Sequence, residues 1–123
     1  MAELALNRTV SGRPAAVGEY PDVLAQAGGR RWAHHADFSL AHARMRAVRG
    51  DIVGTVGQAA KAVIETAHAV ACRRRLWVLN EKRLVEWTGL EDLHAGFADV
   101  PASSRELLLW VDDLRAAIAR ARS

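Results

Sequence analysis

Between Asp51 and Arg73 the chain sets Val53, Val56, Ala60, Val63, Ala67 and Val70 three or four positions apart, the spacing that lines apolar side chains along one face of an α-helix. Asp51 stands where such a helix takes its N-cap, because a carboxylate there accepts from the free amides of the first turn. Upstream, Arg30 to Val48 predicts a second long helix, with Trp32, Ala36, Leu40, Ala43 and Ala47 on one stripe and Gly50 ending it. Pro21-Asp22 opens a shorter helix that the Gly28-Gly29 pair is expected to stop.

Downstream the pattern is more broken. Leu76 to Thr88 reads as a helix started or interrupted near Asn80, with Gly89 as its C-cap. Glu91 to Ala98 predicts a short amphipathic segment carrying Leu93 and Phe97, and Pro101 breaks it. Ser103 or Ser104 then caps a last helix on which Leu107, Val111, Leu114, Ile118 and Ala121 form a heptad-like seam.

Residues 1–21 show no sustained period and are punctuated by Gly12, Pro14, Gly18 and Pro21. They read as an irregular arm or linker, with a short strand at Leu4 to Val10 as the alternative. The expected fold is therefore all-α: an up-and-down bundle over residues 22–123, with three long and one or two short helices, preceded by that N-terminal arm. The seam on the last helix, with Trp110 beside it, fits the core of this bundle better than a self-association surface.

Composition agrees with one folded domain. Half of the 123 residues are hydrophobic and 25% are charged, an ordinary globular balance. The net charge is +3, carried almost wholly by arginine, with Lys61 and Lys82 the only lysines. The basic residues are dispersed among acids with no aromatic-interleaved stripe, which argues against a nucleic-acid partner. Cys72 is the single cysteine, so neither an internal disulfide nor a cysteine-based zinc cluster can form, and a reducing, cytoplasmic location fits. Glu3 and Arg8 near the start exclude a secretory signal of ordinary form. No apolar run approaches the roughly 20 residues of a membrane-spanning helix, so no membrane partner is expected.

Several spacings bear on chemistry. Glu65-x-x-His68 and Glu91-x-x-His94 match the helical pair used in di-iron bundles, but such a site also draws a carboxylate from each of two other helices, so no metal site is expected. His34, His35 and His42 are not spaced as metal ligands on one helix face. Arg30 with His35 fits the Arg-x4-His spacing of HEPN ribonucleases, in which a cation and an imidazole flank the scissile phosphate. Arg73-Arg74-Arg75 falls where a helix C-terminus favours positive charge. Gly54 and Gly57 fit close helix packing, and Cys72 fits an ordinary packed thiol.

Trp77 to Leu84 differs, because Asn80, Glu81, Lys82 and Arg83 sit between apolar residues on both sides. Such a group is either a helix start, with Asn80 as N-cap and Glu81 in the favourable first turn, or the polar face of a site on an apolar scaffold.

Leu79-Asn80-Glu81-Lys82, placed after a helix that begins Arg49-Gly50-Asp51 and holds Ala62-Val63-Ile64-Glu65 and Ala67-His68-Ala69, resembles the C-terminal helical part of a family of bacterial nucleotidyltransferases. The resemblance covers residues 20–95 and is similar in organisation to kanamycin nucleotidyltransferase and to minimal nucleotidyltransferase/HEPN pairs. In those proteins an N-terminal α/β domain carries Gly-Ser followed by an Asp-x-Asp pair, and the helical domain forms the other wall of the cleft. This chain contains neither motif, and Asp112-Asp113, being adjacent, point to different helix faces.

The resemblance thus implies a helical domain that binds a small-molecule substrate or a partner and is inactive alone. Mg2+ and a nucleotide would enter only with a catalytic domain supplied elsewhere. On that reading Glu81 is the residue placed to accept a proton or bind an aminated substrate, and Lys82 to contact phosphate; Asn80, Glu65 and His68 are their neighbours in substrate binding. Two other readings stand beside it: a non-enzymatic, homodimerising interaction bundle, and a HEPN-like ribonuclease using Arg30 and His35.

Overall fold

A computed structural model describes residues 20–123, which form five α-helices and, among the described residues, no strand. They are α1 (Asp22–Val48), α2 (Ile52–Arg73), α3 (Leu84–Trp87), α4 (Glu91–Ala95) and α5 (Ser104–Arg122). The all-α bundle expected from the periodicity is what the chain adopts. Nearly all of the expected arm lies outside the described residues. No described helix is long and apolar enough to cross a membrane.

α1 is one continuous helix of 27 residues, not a short helix and a long one parted at Gly28-Gly29. The glycines serve packing instead. A Cβ on Gly28 would sit 2.9 Å from Cys72 Sγ, and one on Gly29 3.1 Å from Arg73 Cγ, so their bare backbone lets α1 run close against the end of α2. Each glycine costs a helix about 1 kcal/mol relative to alanine, which 27 residues of otherwise ordinary helix tolerate. At the far end Gly50, with φ +71°, closes α1: the amides of Gly50 and Asp51 return to the carbonyls of Ala47 and Arg46.

α2 starts as expected, with the Asp51 side chain accepting from the Gly54 amide at 2.9 Å. Its buried arc is broader than the predicted stripe and rotated from it. Thr55, Ala59, Ala62, Val63, Thr66, Ala67 and Val70 are buried, whereas Val53 is 85% exposed. The cause is position: α2 is the central element, covered by α1 on one side and by α3 and α5 on another. Close approach on so wide an arc selects small side chains, which is why alanine and threonine fill it.

Ser103, not Ser104, caps α5, its hydroxyl accepting from the Glu106 amide. Ser104 Oγ instead donates to the carbonyls of Ala47 and Val48. At the other end Arg122 donates to Ala33 O at 2.9 Å and to Asp37 at 2.8 Å. α5 is therefore antiparallel to α1. Leu107, Val111, Leu114 and Ile118 are all buried, so the seam is core rather than a free self-association surface. Trp110 donates to Gly96 O at 2.9 Å and meets Phe97 edge-on.

The expected helix over Leu76 to Thr88 does not form; only Leu84–Trp87 is helical. Arg75, at φ 60°, ends α2 with the amide pattern seen after α1, Arg75 N to Cys72 O and Leu76 N to Ala71 O. Asn80 Oδ1 accepts from the Lys82 amide at 3.0 Å, closing a side-chain turn that competes with helix. Arg83, at φ 62°, then turns the backbone into α3. Residues 74–103 thus carry the chain back along the bundle through the two short helices, and α5 is the third long helix.

Candidate functional site

Trp32, His35 and Ser39 recur at i, i+3 and i+7 on α1, and Glu65 and His68 at i, i+3 on α2. Each set lies along one side of its helix, and the packing of α1 on α2 brings the two sides together. Ser39 Oγ donates to Glu65 Oε1 at 2.5 Å. Glu65 is only 5% exposed, and its other oxygen, Oε2, lies 4.0 Å from His35 Nδ1, outside hydrogen-bond reach. A buried carboxylate thus has a neutral hydroxyl as its direct partner among the described residues and one oxygen turned towards a half-exposed imidazole.

Beside it, the Trp32 and His68 rings stack with centroids 4.2 Å apart and planes inclined by 13°. The His68 Nε2–H donates to Glu81 Oε2 at 2.7 Å; a carboxylate only accepts, so the proton is on that nitrogen. The His68 side chain is 13% exposed and that of Glu81 59%, so His68 anchors an outward-facing carboxylate to the bundle. Glu81 also borders a cleft of about 450 Å³ walled by Ile64, Val85, His94 and Phe97. The face offers two carboxylates of different depth, an aromatic plate and two imidazoles. It can grip a cation or a polyaminated molecule with an apolar body.

Of the residues expected in a site, Glu65, His68 and Glu81 are brought together. Asn80 is not a helix N-cap; its side chain is spent on the turn that presents Glu81. Lys82 is exposed, with no side-chain hydrogen bond or ion pair among the described residues. Arg30 and His35 are not brought together: five helical positions separate them by about 140° around α1. Arg74 donates to Thr88 O, Arg75 pairs with Asp22, and Arg73 donates to the Arg122 carbonyl, so the arginine run is used in holding helix ends. Trp32 and Ser39 were not foreseen as site members, and His35 was expected only as the partner of Arg30; the i, i+3, i+7 recurrence of Trp32, His35 and Ser39 was the available signal.

Among the described residues no group of three or more His, Cys, Asp or Glu side chains is arranged to hold a metal ion. Asp112 pairs with Arg44 at 3.2 Å, and Asp113 is exposed. These carboxylates do not fit a Mg2+ site of the nucleotidyl-transfer kind.

Cys72 is buried as a packed thiol. Burial, and then the neighbouring Cys72 thiol, push the Tyr20 phenol well above the usual tyrosine range. Comparison with protein-family models, with curated proteins and with solved structures returns no match.

Proposed function

We propose that this bundle is a substrate-binding domain of nucleotidyltransferase type, inactive alone, which holds an aminated small molecule at the face formed by Trp32, His35, Glu65, His68 and Glu81. The observation that carries the reading is the state of Glu65. Burying a carboxylate is costly unless it is paired, and its direct partner here is a serine hydroxyl. A ligand ammonium seated between His35 and Glu65 would supply the missing cation, Glu81 would take a second amine, and Trp32 would lie under the ligand's apolar body. Lys82, exposed beside Glu81, would contact the phosphate of a second substrate. Nucleotide and Mg2+ would be held by a separate catalytic domain, the partner this reading requires, and no transfer step is assigned to this chain.

Isothermal titration with kanamycin, used as a polyaminated probe, tests the reading. Saturable binding is expected, with a loss of at least about tenfold, or roughly 1.4 kcal/mol, in Glu81→Gln and in Glu65→Gln. Lys82→Gln should leave it intact, and glucose should not bind. Equal affinity in wild type and Glu81→Gln would remove the proposal.

A further inference from the structure

Where α1 meets α5, a groove of about 450 Å³ runs past Leu40, Ala41, Met45, Val48 and Val111. Leu40 and Val111 form a buried floor, while Met45 and Val48 leave 55% and 59% of their surface in water. Phe38, also exposed, lies seven positions before Met45 and so on the same side of α1. Met45 is two positions from the buried Ala43 and Ala47, about 200° around the helix, which sets this stripe away from the face that packs on α2. Contiguous large apolar side chains of this kind mark an interaction surface.

The rim is cationic. Arg44, Arg49 and Arg115 line it; Asp37 is engaged by Arg122 at 2.8 Å, and Asp112 and Arg44 engage each other at 3.2 Å, so the rim's positive charge is that of Arg49 and Arg115. Among the described residues no carboxylate lies within ion-pair distance of Arg49 or Arg115. A second copy meeting this face across a two-fold axis would set arginines against arginines. A helix with an apolar stripe flanked by acids matches both floor and rim.

We infer that the α1–α5 groove docks an acidic amphipathic helix of a partner polypeptide, its apolar stripe on Met45 and Val48 and its carboxylates on Arg49 and Arg115. The inference is independent of the Glu65–Glu81 face, and its test involves no amine ligand.

The probe is a dye-labelled synthetic helical peptide with leucines at i, i+3, i+4 and i+7 and glutamates flanking them, with a lysine-flanked twin of the same leucine pattern. Fluorescence anisotropy should show saturable binding of the glutamate peptide and at least tenfold weaker binding of the twin. Met45→Glu and Arg115→Glu should each weaken the glutamate peptide at least tenfold, with circular dichroism showing helix content retained. Because Met45 is exposed, Met45→Gln provides a milder variant should the first lose structure; it should weaken binding several-fold. Equal affinity for the two peptides, or binding untouched in all three variants, overturns the inference. So does concentration-dependent self-association in sedimentation velocity that Met45→Glu abolishes, which would give the groove to a second copy. Preferential binding of a peptide of residues 1–19, or of phosphatidylserine vesicles, over the glutamate peptide overturns it equally.

Discussion

The α1–α2 pair and the segment 74–103 hold the same bundle together by different means. Between the two long helices the contact is made by small side chains at close range: Ala36, Ala43, Ala47, Ala59 and Ala62 are wholly buried, and Gly28 and Gly29 remove even their Cβ atoms at the narrowest approach. The segment 74–103 follows backbone turns and caps instead, with Arg75 and Arg83 in the left-handed region, and reaches the core through three separate leucines, Leu84, Leu90 and Leu93, rather than along a continuous helix face. The difference matters for the site. Trp32, His35, Ser39, Glu65 and His68 stand on the rigid pair, whereas Glu81 stands on the segment and is tied to the rest by its bond to His68. Four side chains and a hydroxyl are thus fixed by packing, and one carboxylate by local turn chemistry.

The sharpest way to break this contrast is overpacking. Ala43→Leu, at a position with no exposed surface, should destabilise by about 3 kcal/mol because close-packed helices have no room to yield. Leu79→Ala in the segment, where the side chain is only half-buried, should cost less than about 1 kcal/mol. Urea unfolding of both variants makes the comparison, and similar losses would mean the two regions are equally packed.

Hydrogen exchange sharpens the same point. Amides in the middle of α2, around Ala67, should exchange at least about 100-fold more slowly than those of Glu81 and Lys82, a gap of roughly 2.7 kcal/mol in local opening. Matched protection would place the segment in the same cooperative unit as the helices.

A smaller effect isolates the glycine contact. Gly28→Ala should stabilise by up to about 1 kcal/mol in a Cys72→Ala background, where the helix gains propensity without a clash. With Cys72 present that gain should be lost, so a double-mutant cycle reads a coupling of about 1 kcal/mol; zero coupling would show that α1 does not run this close to α2.

The least effect expected is on pH. Because the folded state holds the Tyr20 proton more tightly than the usual tyrosine, the unfolded chain ionises first, and stability should be level up to about pH 10 and fall above it. Tyr20→Phe should reduce that fall; an unchanged slope would mean the phenol is open to solvent.

The long helices were legible because their signals are local: Asp51 before a spaced apolar run, Gly50 closing α1, and the Ser103-Ser104 pair before the seam of α5. What misled was chemistry whose meaning depends on a distant partner. Gly28-Gly29 reads as a stop until Cys72 and Arg73 are set against it, and Val53 reads as core until α2 is seen to turn its alanines and threonines inward. Asn80 presents one oxygen that can cap a helix or close a turn, and sequence alone does not choose between them. The site was half legible for the same reason. Glu65, His68 and Glu81 stood out as an i, i+3 pair and a polar cluster, but Trp32, His35 and Ser39 join them only across the α1–α2 contact.

Histidine imidazole resonances followed by NMR during titration with the polyaminated probe test the site most directly, because five histidines report from different places on the molecule. Saturable shifts at His35 and His68, with His34 and His42 unmoved, are predicted if the amine sits between Glu65 and Glu81. Shifts confined to His34 or His42, or none at His68 at probe concentrations that saturate binding, would contradict the assignment of this face as the binding site.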